Sequence, residues 1–258
     1  MDRRCEVHSL IWKKSVVSLL TGVSLALSVI ISSVLPVRAE VSVAAPSVIL
    51  IESSTGEVIY EKNATERRCP ASITKIMTLL LTFEAISEGS VSLQDQVVVS
   101  EYASSMGGSQ VYLAQGEVQT LDTMIKCIAI SSGNDASVAV AEHLAGSEAA
   151  FVDKMNVRAA ELGAADTHFA NPHGLHNVEH YTTAADMAKI ACAAMKYDKF
   201  RNIADIAHIK IPPTNMTDTE RYYINTNGLL SAMRYTQYFY KGSIGIKTGY
   251  TDDAGNCL

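Results

Sequence analysis

The chain has 258 residues, 48% of them hydrophobic, a mean hydropathy of +0.12 and a formal net charge of −6. That is enough apolar material for one sizeable core with an inserted helical subdomain. The acidic balance gives nothing to attract a polyanion, so a nucleic-acid-binding role is not expected. Repeats, low-complexity tracts and extended Pro/Gly/Ser linkers are absent from the sequence.

The first 39 residues read as a targeting signal. Arg3, Arg4, Lys13 and Lys14 precede an uncharged apolar run from Ser15 to Leu35, and Val37-Arg38-Ala39 fits small-x-small cleavage with Glu40 as the first mature residue. The run is also nearly long enough to span a bilayer, which takes about 20 residues, so an uncleaved anchor stays open. Either way, charges placed before the apolar segment put the remainder outside the cytoplasm. An exported protein in the extracytoplasmic envelope, at the outer face of the cytoplasmic membrane and able to touch its surface, is therefore expected. Cys5 lies before the apolar run, unlike a lipoprotein cysteine. Cys69, Cys127, Cys192 and Cys257 show no framework spacing, so neither a required disulfide nor a zinc site is expected.

Residues 40–258 read as one domain. Ser47 to Ile51 and Val58 to Tyr60 are strands joined by a Ser54-Thr55-Gly56 turn, a hairpin signal. Asn63 to Pro70 is a polar connection. From Ser72 to about Ile86 apolar residues cover nearly every helical face, which places that helix inside the protein. Val97 to Val99 suggests a short strand. Leu121 to Ile130 is helical, interrupted by Ser131-Ser132-Gly133-Asn134; Asp135 to Leu144 and Glu148 to Leu162 are further helices. Asn171 to Leu175 is a loop, and Thr182 is the expected N-cap of the next helix. Ala207 to Ile211 and Ser243 to Lys247 look extended. Strands, a helical block, then strands again indicate an α+β fold with one sheet and a helical insertion.

Three short motifs fall in order along this frame: Ser72-Ile73-Thr74-Lys75, Ser132-Gly133-Asn134 and Lys247-Thr248-Gly249. Ser72 and Lys75 are three apart on a helix, so they share a face. A serine hydroxyl needs a base to become a nucleophile, and a lysine serves only when neutral, which burial and a second cation favour. Lys247 is the candidate second cation. Ser132 can relay a proton, and the Asn134 amide can both donate to and accept from a peptide. Thr248 and Lys247 suit a free carboxylate, while Gly249 lets another backbone approach. Taken singly, each motif is more readily read as an ordinary helix pair, a turn, or a strand ending in a glycine. His173, His176 and His180 invite a metal reading, but Pro172 and Gly174 argue for loop and His-Glu-x-x-His is absent. No metal and no cofactor are expected.

Taken together with Pro70 to Thr78, Asn171 to Leu175, His180 to Ala184 and Gly245 to Thr251, the motifs resemble the D-alanyl-D-alanine carboxypeptidases. These are the low-molecular-mass penicillin-binding proteins of serine peptidase family S11. The resemblance runs from about Ser47 to Leu258 and implies a β-lactamase/DD-peptidase-like fold, an antiparallel sheet flanked by helices with a helical subdomain. It implies Ser72 as nucleophile, Lys75 as base and Ser132 as relay, with Asn134, Lys247, Thr248, Gly249 and Tyr250 binding substrate. The substrate implied is a peptidoglycan stem peptide ending in D-Ala-D-Ala, with β-lactams as covalent inhibitors and the Ser72 and Tyr250 N–H groups as oxyanion hole. Family members continue past Lys-Thr-Gly with two strands and a closing helix, so a fragment or truncated product, with a gap in its sheet and an exposed apolar edge, is expected here. A β-lactamase of class A type would need a Glu-x-x-Leu-Asn stretch, which is missing between Asn134 and Lys247. A DD-endopeptidase or transpeptidase of the same fold, or a non-catalytic envelope module, remains open.

Overall fold

The computed structural model describes residues 42–231, 233 and 236–258; the expected targeting signal lies outside them. The centre of the molecule is helix α1 (Lys75–Ser87), buried along most of its length, including Met77, Leu79, Leu80 and Phe83. Each such side chain contributes about 1.5–3 kcal/mol on burial. A 3-10 turn, Ala71–Thr74, leads into it from Pro70. Around α1 pack α3 (Leu121–Ser131), α4 (Asn134–Ala145), α5 (Glu148–Glu161), α6 (Ala184–Ala194) and α7 (Asp198–Ala204); α2 (Glu101–Ser104) is a single turn against α4.

The helix starts follow their caps. Thr120 Oγ1 accepts from Thr123 N at 3.2 Å to open α3, and Ser147 Oγ accepts from Ala150 N at 3.2 Å to open α5. At α6 the cap is Thr183, not the expected Thr182: Thr183 Oγ1 accepts from Asp186 N at 3.0 Å. Thr182 is committed elsewhere, its backbone bridging to Arg68 and its hydroxyl 2.8 Å from that of Thr167.

The strands form four separate antiparallel ladders among the described residues: β1 (Val48–Ile51) with β2 (Val58–Lys62), β3 (Gln96–Val98) with β4 (Val118–Thr120), β5 (His208–Ile211) with β6 (Arg221–Ile224), and β7 (Gly249–Thr251) with β8 (Gly255–Cys257). The fold is thus α+β, with the strands in four ladders rather than one sheet. Each hairpin rests on helices or on the 3-10 turn: β1 on α6, β3 on α4, β5 and β6 on α3, and β7 and β8 on the Ala71–Thr74 turn. Leu50, Val58 and Ile59 of the first hairpin are exposed. The expected strand Ser243 to Lys247 is irregular chain: the Asn227 side chain takes the Gly245 carbonyl at 3.1 Å, and no strand among the described residues pairs with the segment. No helix among the described residues is long and apolar enough to cross a membrane.

Candidate active site

Ser72 sits half-buried in the 3-10 turn, one turn before Lys75 begins α1. The turn has an unusual shape: Ala71 has φ 47°, and Gly174 of the facing loop has φ +89°. A Cβ at Gly174 would lie 1.9 Å from the Ala71 carbonyl oxygen, so only glycine lets this loop close on the Ser72 turn. The loop is fixed from within, Asn171 Oδ1 accepting from Gly174 N at 2.6 Å, and from α1, Thr78 Oγ1 donating to the Pro172 carbonyl at 2.6 Å.

Lys75 is fully buried, and its Nζ has three oxygens in reach: Ser72 Oγ at 2.9 Å, Asn134 Oδ1 at 2.7 Å and the His173 carbonyl at 2.6 Å. Asn134 Oδ1 and the carbonyl only accept, so they take two N–H hydrogens. A neutral amine then has its lone pair left for the hydroxyl, the one partner able to donate. Burial first, then the neighbouring Lys247 charge, hold Lys75 well below the ordinary lysine pKa, with Asp135 opposing in part. Geometry and electrostatics therefore both favour the neutral amine.

Ser132 closes α3 in left-handed conformation (φ 59°, ψ 32°), buried, with an Oγ that has no hydrogen-bond partner. Holding a serine there costs roughly 1–3 kcal/mol, and an orphaned buried hydroxyl adds to it. Two residues on, Asn134 also donates from Nδ2 to the Gly107 carbonyl at 2.7 Å. Asp135 was not singled out by the sequence. Its buried carboxylate accepts from Val111 N, Leu113 N and Ala136 N at 2.9–3.2 Å, tying the 107–113 segment over α4.

Lys247 is buried and its pKa is pushed down to about 7 by burial; Nζ donates to the Thr248 carbonyl at 2.8 Å. Thr248 Oγ1 donates to Thr226 Oγ1 at 2.7 Å, and Thr226 N donates to the Ile130 carbonyl at 3.0 Å, which ties this segment to α3. A Cβ on Gly249 would lie 2.9 Å from Ser72 N and 3.1 Å from Ile73 N, so β7 runs against the Ser72 N–H. The Tyr250 ring points to solvent, its hydroxyl 3.1 Å from Asp252 Oδ1, which leaves only the Tyr250 backbone for the cleft.

Ser72 and Asn134 thus each meet Lys75, Lys247 acts on Lys75 through its charge, and Gly249 touches the turn. Sequence reasoning missed Asp135, Thr226 and the His173 carbonyl; the last carries no residue-type signature, although the Asn171 to Leu175 stretch was visible as a loop. The three histidines have separate partners: His173 Nε2 lies 3.4 Å from Glu148, His176 Nδ1 3.2 Å from Asp253, and His180 Nε2 2.8 Å from Thr74 Oγ1. Among the described residues no group of three ligating side chains is assembled.

The fold is that of the penicillin-binding DD-peptidases. A solved D-alanyl-D-alanine carboxypeptidase DacD from Francisella tularensis superposes with a TM-score of 0.78 at 30% identity, over 85% of this chain and 63% of that one. The solved Streptomyces K15 DD-transpeptidase gives 0.75 at 30% identity over 84% of each chain. The chain belongs to peptidase family S11, D-alanyl-D-alanine carboxypeptidase, whose model it matches over residues 35–258. It is 47% identical over 214 residues to the D-alanyl-D-alanine carboxypeptidase DacF of Bacillus subtilis, 83% of this chain and 53% of that protein. It is 36% identical over 220 residues to DacA of Escherichia coli, 82% of this chain and 51% of that protein. The chain therefore spans about half the length of these curated relatives.

Proposed function

We propose that this chain is the catalytic part of a serine-type D-Ala-D-Ala carboxypeptidase that removes the terminal D-alanine from peptidoglycan stem peptides. The observation that carries the reading is the buried Lys75 Nζ, 2.9 Å from Ser72 Oγ, with two acceptors taking its remaining hydrogens. Ser72 Oγ attacks the carbonyl carbon of the penultimate D-Ala while Lys75 takes its proton. The N–H groups of Ser72 and Tyr250 receive the developing oxyanion, each such donor being worth about 10²–10³ in rate. Lys75 and Ser132 pass the proton to the departing D-Ala amine, a role that suits a buried hydroxyl with no other partner. Asn134 orients the stem-peptide amide as well as Lys75. Protonated Lys247, with Thr248, holds the terminal carboxylate, and Gly249 leaves room for the substrate backbone beside Ser72. Water then hydrolyses the ester on Ser72.

A β-lactam presents the same carboxylate and a reactive amide, and acylates Ser72. The basic, apolar N-terminal segment supports export to the outer face of the cytoplasmic membrane. A transpeptidase reading is favoured by one finding, the likeness to the K15 enzyme; it differs only in the acceptor of the acyl group. Incubation with a pentapeptide ending in D-Ala-D-Ala, with and without a glycine acceptor amine, separates the two. Free D-Ala with a tetrapeptide product is expected. A transfer product replacing the tetrapeptide assigns transpeptidation, and absence of both from folded protein overturns the enzymatic reading.

A further inference from the structure

Two thiols lie beside the acyl-transfer groups without belonging to them. Cys69 is half-buried, three residues before Ser72. Cys257 stands on β8, paired in register with Gly249, and β8 packs against the Ala71–Thr74 turn. His176 connects the two sides: its Nδ1 is 4.0 Å from Cys69 Sγ and 3.2 Å from Asp253 Oδ2 in the β7–β8 turn. The Cys257 thiol is pushed up by burial and, next, by the neighbouring Cys69. Both cysteines are free, and Cys257 Sγ donates to the Gly255 carbonyl at 3.9 Å. Cys127, by contrast, is wholly enclosed in α3, where burial pushes its thiol out of reach of exchange chemistry.

We propose that Cys69 and Cys257 are a reactive pair that closes to a disulfide, stapling the nucleophile turn to the β7–β8 hairpin. The oxidant is a disulfide, of a small molecule or of an exchange protein. Cys69, as its thiolate, attacks one sulfur of that disulfide and releases one thiolate, which takes up the proton Cys69 gave up. The Cys257 thiolate then attacks Cys69 Sγ and releases the second, so one S–S bond is broken and one formed, and both protons end on the released thiols. The bond needs Cα atoms about 4.4–6.8 Å apart, and the β7–β8 hairpin, packed against the Ala71–Thr74 turn, is the element that must bring Cys257 to that distance. Closure holds Gly249 against the Ser72 N–H, the contact on which the oxyanion site is built. An exported location supplies the oxidising conditions.

The test is disulfide mapping on the full chain incubated with oxidised glutathione, alkylated, and digested with trypsin without reductant. The expected product is the peptide Cys69–Lys75 linked to the peptide carrying Cys257, two hydrogens lighter than the separate thiols and split by reductant. The closed form should melt at least about 4 °C higher than the reduced form, a shift absent in Cys257→Ser. Stable glutathione adducts on both cysteines without a link, or a Cys69–Cys192 link instead, overturn the proposal. Should Cys257→Ser fail to fold, the wild-type map alone decides. None of these readouts uses turnover, so their failure is distinct from failure of the carboxypeptidase reading.

Discussion

At Lys75 the question is where one proton sits. An ammonium enclosed with no carboxylate in contact among the described residues and a second lysine nearby is disfavoured, and the neutral amine is what the proposed attack by Ser72 requires. Lys75→Ala should lower the rate of Ser72 acylation by roughly 10²–10⁴-fold. Lys75→Arg should fare no better, because a guanidinium stays charged; stopped-flow acylation by a fluorescent penicillin measures both, and a conservative rescue by arginine would argue that the residue supplies charge only. Gly249 makes a different kind of contribution. A methyl there meets backbone at 2.9 Å, not a side chain that can swing away. Gly249→Ala must push β7 from the turn, and misplacement on the scale of 1 Å costs on the order of 10²-fold in rate. The same acylation assay, with melting temperature as control, checks it: loss of rate with little loss of stability is expected.

At the scale of elements, caps and buried pairs decide what holds. Thr183→Ala removes the acceptor for Asp186 N and should cost about 1 kcal/mol, roughly 2–4 °C in Tm, whereas Thr182→Ala should leave the α6 cap intact. Glu117, buried beneath the Arg221 guanidinium, joins the β4 end to β6, and Arg221 also donates to the Val111 carbonyl at 3.2 Å. Glu117→Ala leaves that cation uncompensated and should cost roughly 3–5 kcal/mol by denaturant unfolding. The long helices were legible because apolar residues recur at helical spacing or fill every face. The choice between Thr182 and Thr183 was not, since both are good caps and a remote bridge to Arg68 settles it. Ser243 to Lys247 alternates like a strand, yet Asn227, distant in sequence, takes its carbonyl. Ser72, Lys75 and Asn134 could be read as one site because each needs a specific side chain. The His173 carbonyl could not, since any residue supplies one.

For the whole molecule, two buried lysines shape both activity and stability against pH. If acylation runs as proposed, with Lys75 neutral and Lys247 charged, its rate should rise with pH as Lys75 loses its proton. It should fall again as Lys247, near 7 in the empty site, loses its own. The bell belongs to the coupled pair rather than to either residue alone. The stability trend has the opposite emphasis. With a folded pKa of about 7 against the ordinary 10.5, Lys247 makes the unfolded chain bind more protons between those values. Its contribution to stability is therefore full above 10.5 and is lost as pH falls through about 7. Lys247→Met should raise Tm at pH 6 by at least about 2 °C while weakening carboxylate recognition. A Tm at pH 6 that drops instead would mean the ammonium is stabilised by its surroundings.

The most direct measurement locates the covalent bond. The chain is incubated with a fluorescent penicillin, digested with trypsin and mapped by mass spectrometry, in parallel with Ser72→Ala and Lys75→Ala. A single adduct at Ser72, on the peptide Cys69–Lys75, absent in Ser72→Ala and formed at least about 10²-fold more slowly in Lys75→Ala, where the tryptic peptide runs Cys69–Lys126, is the predicted result. An adduct on another residue, or labelling that survives loss of the Ser72 hydroxyl, would contradict a Ser72–Lys75 acyl-transfer centre.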